Sequence, residues 1–535
     1  MIADLAAFLL KSSSEPMASQ SLPPEIWLDI FEKLPRTCLP GIVSTGRTFA
    51  VLARPLLFAH FYFGPYGLQS PNPHESRRQA VYLTLGPDLQ QFDIDRIEFW
   101  TSENIAPLVR ECSIVPWDPE ETDTTFIVAE DVALRLLNVF FDRIHHFTRL
   151  HTFSAYDVTL TGGMLSKIFH CLPSLTSLLL NLGVSPVSES FTPRSLPPSL
   201  NKFILEMEDN ELYSADSLQA YVPFFVPSSL RELCLSGPLN LWSTNPDAIP
   251  TFSNVRRLAI SIYREGTNPK LAVVLPKFPN VKSLSLYGLD DTDEVFDAYW
   301  LDDVATGCKA LLPVLQMVTT YFHIHSPVVL AIFMPGSTCL TCFKYHGRLE
   351  PDALLPFFST FRLPSLVSLS VQLVGVVSLH SLKPIWYCFP ALKHLDLGFS
   401  CYLSTTQQAY GTSVATEFLT TLYTSSTPWL PPMLKTLVLS WSFASQNSAL
   451  YMGFYHAPID LASLSTLLVA RYPALRTIGI DGGSFLLKSR RRDLDGYLLV
   501  EKRNEDRNDQ TQSYYTLRQE VSELWWEDVH HDSLL

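Results

Sequence analysis

Histidine and cysteine supply the first candidate chemistry in this chain. His323-x-His325, Cys339-x-x-Cys342 and His346 gather five sulfur or imidazole donors in one region. Zinc needs several such donors converging at about 2.0–2.3 Å. No second Cys-x-x-Cys follows, and Cys339 and Cys342 straddle Leu340 in a segment with strand alternation. Ordinary core and surface positions are therefore expected there, with no metal and no other cofactor. Asp481-Gly482-Gly483-Ser484 looks at first like an anion-binding turn, but it lacks GxxxxGK[ST] and GxGxxG, so a plain loop is expected. GxSxG, HExxH and kinase-type signatures are missing, and no pair of carboxylates stands out by spacing. The chain offers no catalytic residue and reads as a non-enzyme.

Composition narrows the remaining classes. Apolar residues make up 47% of the 535 residues and charged residues 17%, which suits a globular chain with ample core. Lys+Arg 39 against Asp+Glu 53 gives a net charge of -14, which argues against a general phosphate-binding surface and hence against nucleic acid. Nine cysteines at irregular spacing suit a reducing compartment. The apolar start Leu5 to Leu10 is too short for a signal core, and Leu311 to Met334 is broken by Pro313, His323, His325 and Pro327, so no membrane span is expected. A cytoplasmic or nuclear protein follows.

The elements that must position any functional residue show themselves as a repeat. An apolar triplet at positions 0, +3 and +5 recurs: Leu175/Leu178/Leu180, Leu230/Leu233/Leu235, Val281/Leu284/Leu286, Leu366/Leu369/Val371, Leu392/Leu395/Leu397 and Leu434/Leu437/Leu439. Weaker copies begin at Val109, Leu150, Leu200, Val255, Leu340 and Leu475. The commonest step is 25 or 26 residues, inside the leucine-rich-repeat window. Proline stands two residues before the triplet in seven of the twelve copies, where 39 prolines in 535 residues would supply about one by chance. Proline there ends a preceding helix and starts an extended segment. Between the strands, Met164, Leu165, Ile168, Phe169 and Leu172 share one helical face, as do Val414, Phe418, Leu419 and Leu422, and Leu461, Leu464, Leu467 and Leu468. The 59-residue gap after Val281 should hold a degenerate unit with Val318 to Ile324 as its strand. The Asn or Cys of the leucine-rich consensus at +8 is replaced by Gly183, Glu208, Pro238, Tyr263 or Leu289, so the repeats are irregular.

Residues 21–63 have a different texture. Pro23 and Pro24 suit a helix start, Glu25 suits its first turn, and Ile26, Ile30 and Leu34 then share a face with Trp27 and Phe31 alongside. The run Leu22-Pro23-Pro24-Glu25-Ile26, with Ile30-Phe31 and Leu34, resembles the opening of the F-box, and Arg54-Pro55-Leu56-Leu57-Phe58 resembles its close. Pro40-Gly41 stands where that family usually has a leucine pair, and Phe49 where a tryptophan is common. The resemblance implies a three-helix segment that docks on a Skp-type adaptor and, through it, a cullin scaffold and a ubiquitin-conjugating enzyme. The contact residues it implies are Leu22, Pro23, Ile26, Ile30, Phe31, Leu34, Val43, Leu52 and Pro55. F-box plus divergent leucine-rich repeats resembles the large fungal F-box families.

The expected class is therefore α/β: a three-helix F-box followed by a curved leucine-rich-repeat-like solenoid with parallel strands. The expected domains are a flexible tail (1–20), the F-box-like module (21–63), a linker (64–78), the solenoid (79–487), a charged linker (488–510) and a C-terminal capping helix (511–535). That last helix rests on the shared face of Leu517, Val521, Leu524 and Trp525. The run Lys488-Ser-Arg490-Arg491-Arg492 falls in the charged linker. Side chains at +2 and +4 should face outward and hold an unidentified target protein: Lys202, Glu232, Arg257, Tyr287, Lys344, His346, His394, Asp396 and Asp481. Basic residues recur at +1, at Arg231, Arg256, Lys282, Lys393, Lys435 and Arg476, and are expected to cap helix-end carbonyls. Two functions fit this reading: the substrate receptor of an SCF-type ubiquitin ligase, or a repeat scaffold outside ubiquitin transfer with residues 21–63 as its N-terminal cap.

Overall fold

The computed structural model describes residues 22–69, 81–117, 125–158, 160–182, 200–207, 221–236, 250–262, 274–288, 312–320, 339–349, 363–374, 382, 386, 388–402, 418–425, 429–444, 461–481, 486–491 and 498–502. The expected tail, the capping helix, His323 and His325 lie outside these residues. The chain divides into two compact units, Met1–Ser229 and Leu230–Leu535.

Among the described residues the first unit starts with three α-helices, α1 (Pro24–Glu32), α2 (Leu39–Thr45) and α3 (Arg47–Leu57). Pro24 and Pro40 sit at helix starts, where a missing N–H costs nothing. Phe31, Leu39 and Ala53 are buried, with Trp27, Ile30, Leu34, Ile42, Val43, Phe49, Leu52, Leu56 and Leu57 packed partly buried around them. Phe49 meets Trp27 edge-on at 4.9 Å and Phe31 at 5.8 Å, so phenylalanine fills the aromatic slot here. Phe58, immediately after α3, packs on Phe99 and Trp100 of α4 (Pro87–Trp100) at 5.9 and 5.5 Å.

Strands then stack in parallel in the order β1 (His60–Phe63), β4 (Glu111–Ile114), β6 (Thr152–Tyr156), β7 (Ser177–Leu182) and β8 (Lys202–Met207). The repeat array therefore begins at His60, inside the segment expected to be purely helical. Phe61 and Phe63 are buried in the same register as Cys112 and Ile114, which makes 60–63 the first rung. Between β6 and β7, α6 (Gly162–Cys171) is capped by the Thr161 hydroxyl, 3.3 Å from Met164 N, and buries the expected stripe of Met164, Leu165, Ile168 and Phe169.

Between β1 and β6 the chain adds a small antiparallel sheet of β2 (Gly67–Gln69), β3 (Val81–Leu85) and β5 (Thr125–Val128), with α4 and α5 (Glu130–Arg143). Residues 67–69, expected in a linker, are thus a strand. Gly67 is required: a Cβ there would come within 2.5 Å of the Trp117 ring.

In the second unit nine strands run parallel in chain order: β9 (Glu232–Ser236), β10 (Arg257–Ile262), β11 (Ser283–Gly288), β12 (Met317–Thr320), β13 (Cys342–Leu349), β14 (Ser368–Val374), β15 (His394–Tyr402), β16 (Thr436–Ala444) and β17 (Thr477–Asp481). The degenerate unit in the long gap starts at Leu315, and its described strand is β12. Helix α7 (Leu461–Arg471) buries Leu464 and Leu468 before β17. β18 (Leu486–Arg491) and β19 (Leu498–Lys502) then pair antiparallel. The basic run expected in a linker is therefore mostly ladder. β18 runs antiparallel beside β17 and is paired on its other side by β19.

Two interactions define each rung. In both units the described triplet side chains are at most 2% exposed, so positions 0, +3 and +5 are core throughout. At each strand entrance, the carbonyl at +1 accepts two consecutive amides of the next rung. Ala59 O takes Arg110 N and Glu111 N at 2.7 and 2.9 Å, and Lys393 O takes Lys435 N and Thr436 N at 2.7 and 3.0 Å. The same pattern runs through Arg110, His151 and Thr176 in the first unit. In the second it continues through Arg231, Arg256, Lys282, Gln316, Thr341, Val367 and Lys435. The backbone at +1 is the regular feature. Side chains add local stitches: Arg256 Nη1 donates to Asn280 O at 3.1 Å, Asn280 Nδ2 to Ser253 O at 2.8 Å and Ser174 Oγ to Thr148 O at 2.9 Å. These join strand-entrance loops of neighbouring rungs.

Leu395→Ala should cost about 2–5 kcal/mol by urea denaturation, because the cavity opens between two rungs that cannot collapse onto each other. A cost near zero would contradict the shared core.

Candidate functional site

Among the described residues, polar side chains gather most densely on the outward face of β13 to β16. Register places Cys342, Ser368, His394 and Thr436 side by side, and Lys344, Ser370, Asp396 and Val438 in the next row. Adjacent strands lie about 4.8 Å apart, so neighbouring side chains in one row touch. Ser370 Oγ donates to Asp396 Oδ2 at 2.8 Å, and His394 Nδ1 lies 3.1 Å from the Thr436 hydroxyl. Gln372 lies across Gly398 so closely that a Cβ there would collide with its carboxamide. Cys342, Ser368, Ser370, His394 and Thr436 are buried, while Lys344 and Asp396 are half-buried.

Burial pushes the Cys342 thiol pKa up, against the opposing influence of neighbouring Lys344 and Ser368. The neutral thiol is held as a small packing group, unsuited to nucleophilic attack. Its partner in the Cys-x-x-Cys pattern, Cys339, is exposed at the preceding turn. Lys344, Gln372 and Asp396 keep partial exposure, while the hydroxyls, the thiol and the imidazole beside them are packed in the buried rows.

The outward residues expected to bind a target divide into groups. Lys344, His394 and Asp396 come together in the cluster. Glu232 and Arg257 form an ion pair at 2.7 Å across β9 and β10, and Tyr287 is half-buried on β11. Lys202 faces outward on β8 in the first unit. His346 departs from expectation: the β13–β14 register jumps between Tyr345 and Arg348, so His346 falls in an irregularity without a rung partner. Asp481 ends β17, beside Ser440. Ser368, Ser370 and Gln372 were not singled out from sequence, and Cys342 only as part of the Cys-x-x-Cys pattern, although the same +2, +4 and +6 arithmetic places all four.

The residues implied as adaptor contacts also divide. Leu22 and Ile26 are 45% and 46% exposed, and Pro23 is exposed beside them. Ile30, Leu34, Val43, Leu52 and Pro55 are half-buried. Phe31 is 4% exposed at the centre of the three helices. Its ring holds the module together and is not available as a contact.

No family model matches the sequence, and no curated protein matches it. Among solved structures, the crystal structure of a TLR13–ssRNA13 complex aligns over 70% of this chain and 53% of that one, at 14% identity and a TM-score of 0.29. The chain thus spans about half the length of that structure. Among the described residues, no helix is long and apolar enough to cross a membrane.

Asp396→Ala should cost about 1–3 kcal/mol in urea, since the Ser370 hydroxyl loses its acceptor in a buried row; Asp396→Asn, which keeps one, should cost less. Equal costs would show that the hydrogen bond contributes nothing. Native protein treated with iodoacetamide near pH 8 should be modified at Cys38 and Cys339, which are exposed, and spared at Cys112 and Cys342 until denaturant is added.

Proposed function

We propose that this chain is a non-catalytic recruiting subunit: its three N-terminal helices dock on a Skp-type adaptor, and its parallel-strand array holds a target protein for an SCF-type ubiquitin ligase. The observation that carries the reading is the Leu22-Pro23-Pro24-Glu25-Ile26 opening, whose apolar side chains stand exposed beside three helices in which, among the described residues, Phe31, Leu39 and Ala53 form the buried core. A module of about 40 residues with so thin a core gains stability from a partner. Val51, on α3, is 71% exposed and adds to the apolar surface that a partner would cover. The outward cluster on β13 to β16 supports a protein target, because its groups of both signs suit mixed polar contacts. Adaptor and target held on one chain share a high effective concentration, and the chemistry belongs to the partners.

A second reading keeps the array and drops the adaptor. Phe58, directly after α3, packs on Phe99 and Trp100, and Ala59 supplies the first shared carbonyl, which supports residues 21–63 as an N-terminal cap on the array. The two readings separate on surface substitutions.

Leu22→Asp with Ile26→Asp should abolish co-purification with a Skp-type adaptor while leaving the melting temperature within a few degrees, because both side chains are already exposed. Wild-type protein that captures no adaptor would sink the ubiquitin-ligase reading. Phe31→Ala should lose both capture and about 3–5 kcal/mol of module stability, so it serves as the unfolding control.

A further inference from the structure

We propose that the strand-entrance edge of β9 to β11 binds a short acidic segment of a partner protein, held by Arg231, Arg256, Lys277 and Lys282. The described residues of these rungs and the next are 230–236, 250–262, 274–288 and 312–320. Together they carry five Lys or Arg, those four and Arg257, and a single acid, Glu232. The whole chain has a net charge of -14, so this stretch runs against the charge of its own protein. Glu232 is already engaged by Arg257, at 2.7 Å across the outward face of β9 and β10.

The shared carbonyls that set the register also line up the cations. Arg231 O accepts Arg256 N at 2.8 Å, and Arg256 O accepts Lys282 N at 2.8 Å. Three cationic residues therefore stand on three successive rungs, about 4.8 Å apart. Lys277 joins them from the loop before β11, where its carbonyl accepts Phe252 N at 2.7 Å. Arg231, Arg256 and Lys282 are exposed, and Lys277 is half-buried. Arg256 Nη1 donates to Asn280 O at 3.1 Å, which anchors the guanidinium at the loop while the side chain stays at the surface. The rungs do not require charge here. Gln316, Thr341 and Val367 hold the same +1 place further along, and their carbonyls accept the same paired amides.

Charge and length choose the occupant. Lys and Arg bind carboxylates through charge-assisted hydrogen bonds. Screening limits each charge to about 8 Å at physiological ionic strength, so the local excess governs a short partner. Three rungs span about 10 Å, which matches a few extended residues of an acidic run. A nucleic acid or a second copy brings negative charge over a much longer reach and meets the repulsion of the whole chain. The edge lies in the second unit, and the inference stands whether or not the N-terminal helices bind an adaptor.

The test uses the full chain and a fluorescein-labelled decapeptide, six glutamates flanked on each side by glycine and serine. Fluorescence anisotropy should show saturable binding that weakens with added salt. Combined Arg231→Ala, Arg256→Ala and Lys282→Ala should weaken it about tenfold or more, with the melting temperature within a few degrees of wild type. The control of equal charge, Arg47→Ala with Arg135→Ala and Arg149→Ala, should bind as wild type does; those three arginines are exposed in the first unit. If the triple variant melts much earlier, Lys282→Ala alone decides, by a measurable loss of binding at wild-type stability. Absence of peptide binding up to about 1 mM, or equal losses in the two triple variants, would overturn the proposal. Tighter binding of a twelve-nucleotide oligouridylate, lost in the Arg231 triple variant, would hand the edge to nucleic acid and overturn it. A salt-sensitive dimer in sedimentation, lost in the same variant, would hand the edge to a second copy and overturn it too.

Discussion

One carbonyl oxygen per rung, accepting two successive amides from the next strand, governs this structure. Because each +1 carbonyl is shared, consecutive strands must enter the sheet in the same direction and in step. That places the triplet residues of neighbouring rungs directly over one another. Leu369, Leu395 and Leu437 then cover each other's apolar surface, as do Val371, Leu397 and Leu439. No rung could bury its inward face alone, so the array gains its stability from nearest neighbours.

The same register determines what the outward face can do. Rows of side chains at +2 and +4 stand about 4.8 Å apart, so residues separated by a full repeat in sequence become neighbours. Ser370 and Asp396, His394 and Thr436, and Glu232 and Arg257 all meet in this way. Much of the hydrogen-bonding capacity in the β13–β16 cluster is satisfied across the strands. The result is a set of mostly buried, cross-strand polar contacts, whereas Leu22 and Ile26 of the N-terminal segment stay exposed.

Much of the fold was legible because it repeats. Apolar residues at 0, +3 and +5 with proline at -2 identify a strand wherever the spacing recurs, and the helical stripe of Met164, Leu165, Ile168 and Phe169 was equally plain. The elements that escaped are those that occur once. Strands β2, β3 and β5 are three to five residues long and carry no recurring spacing. Lys488 to Arg491 looked like solvated linker because charge dominates its composition, yet the backbone pairs with β17 irrespective of side-chain charge. His60–Phe63 was absorbed into the helical module because aromatic residues suit either element until a partner strand is present.

Sequence alone determined the period, the inward residues and the strand order, since a 25-residue step of strand and return admits little but parallel stacking in chain order. It also marked the helical opening, through two prolines and an apolar stripe. Tertiary structure decided which of those marked residues are available. Phe31 went to the core and Ile26 to the surface, although both lie on the same short helix; His394 and Asp396 met Thr436 and Ser370, while His346 was set apart by a slip in register. Exposure and cross-strand contact depend on what packs alongside. Periodicity says which way a side chain points, and only the neighbouring element says what it meets.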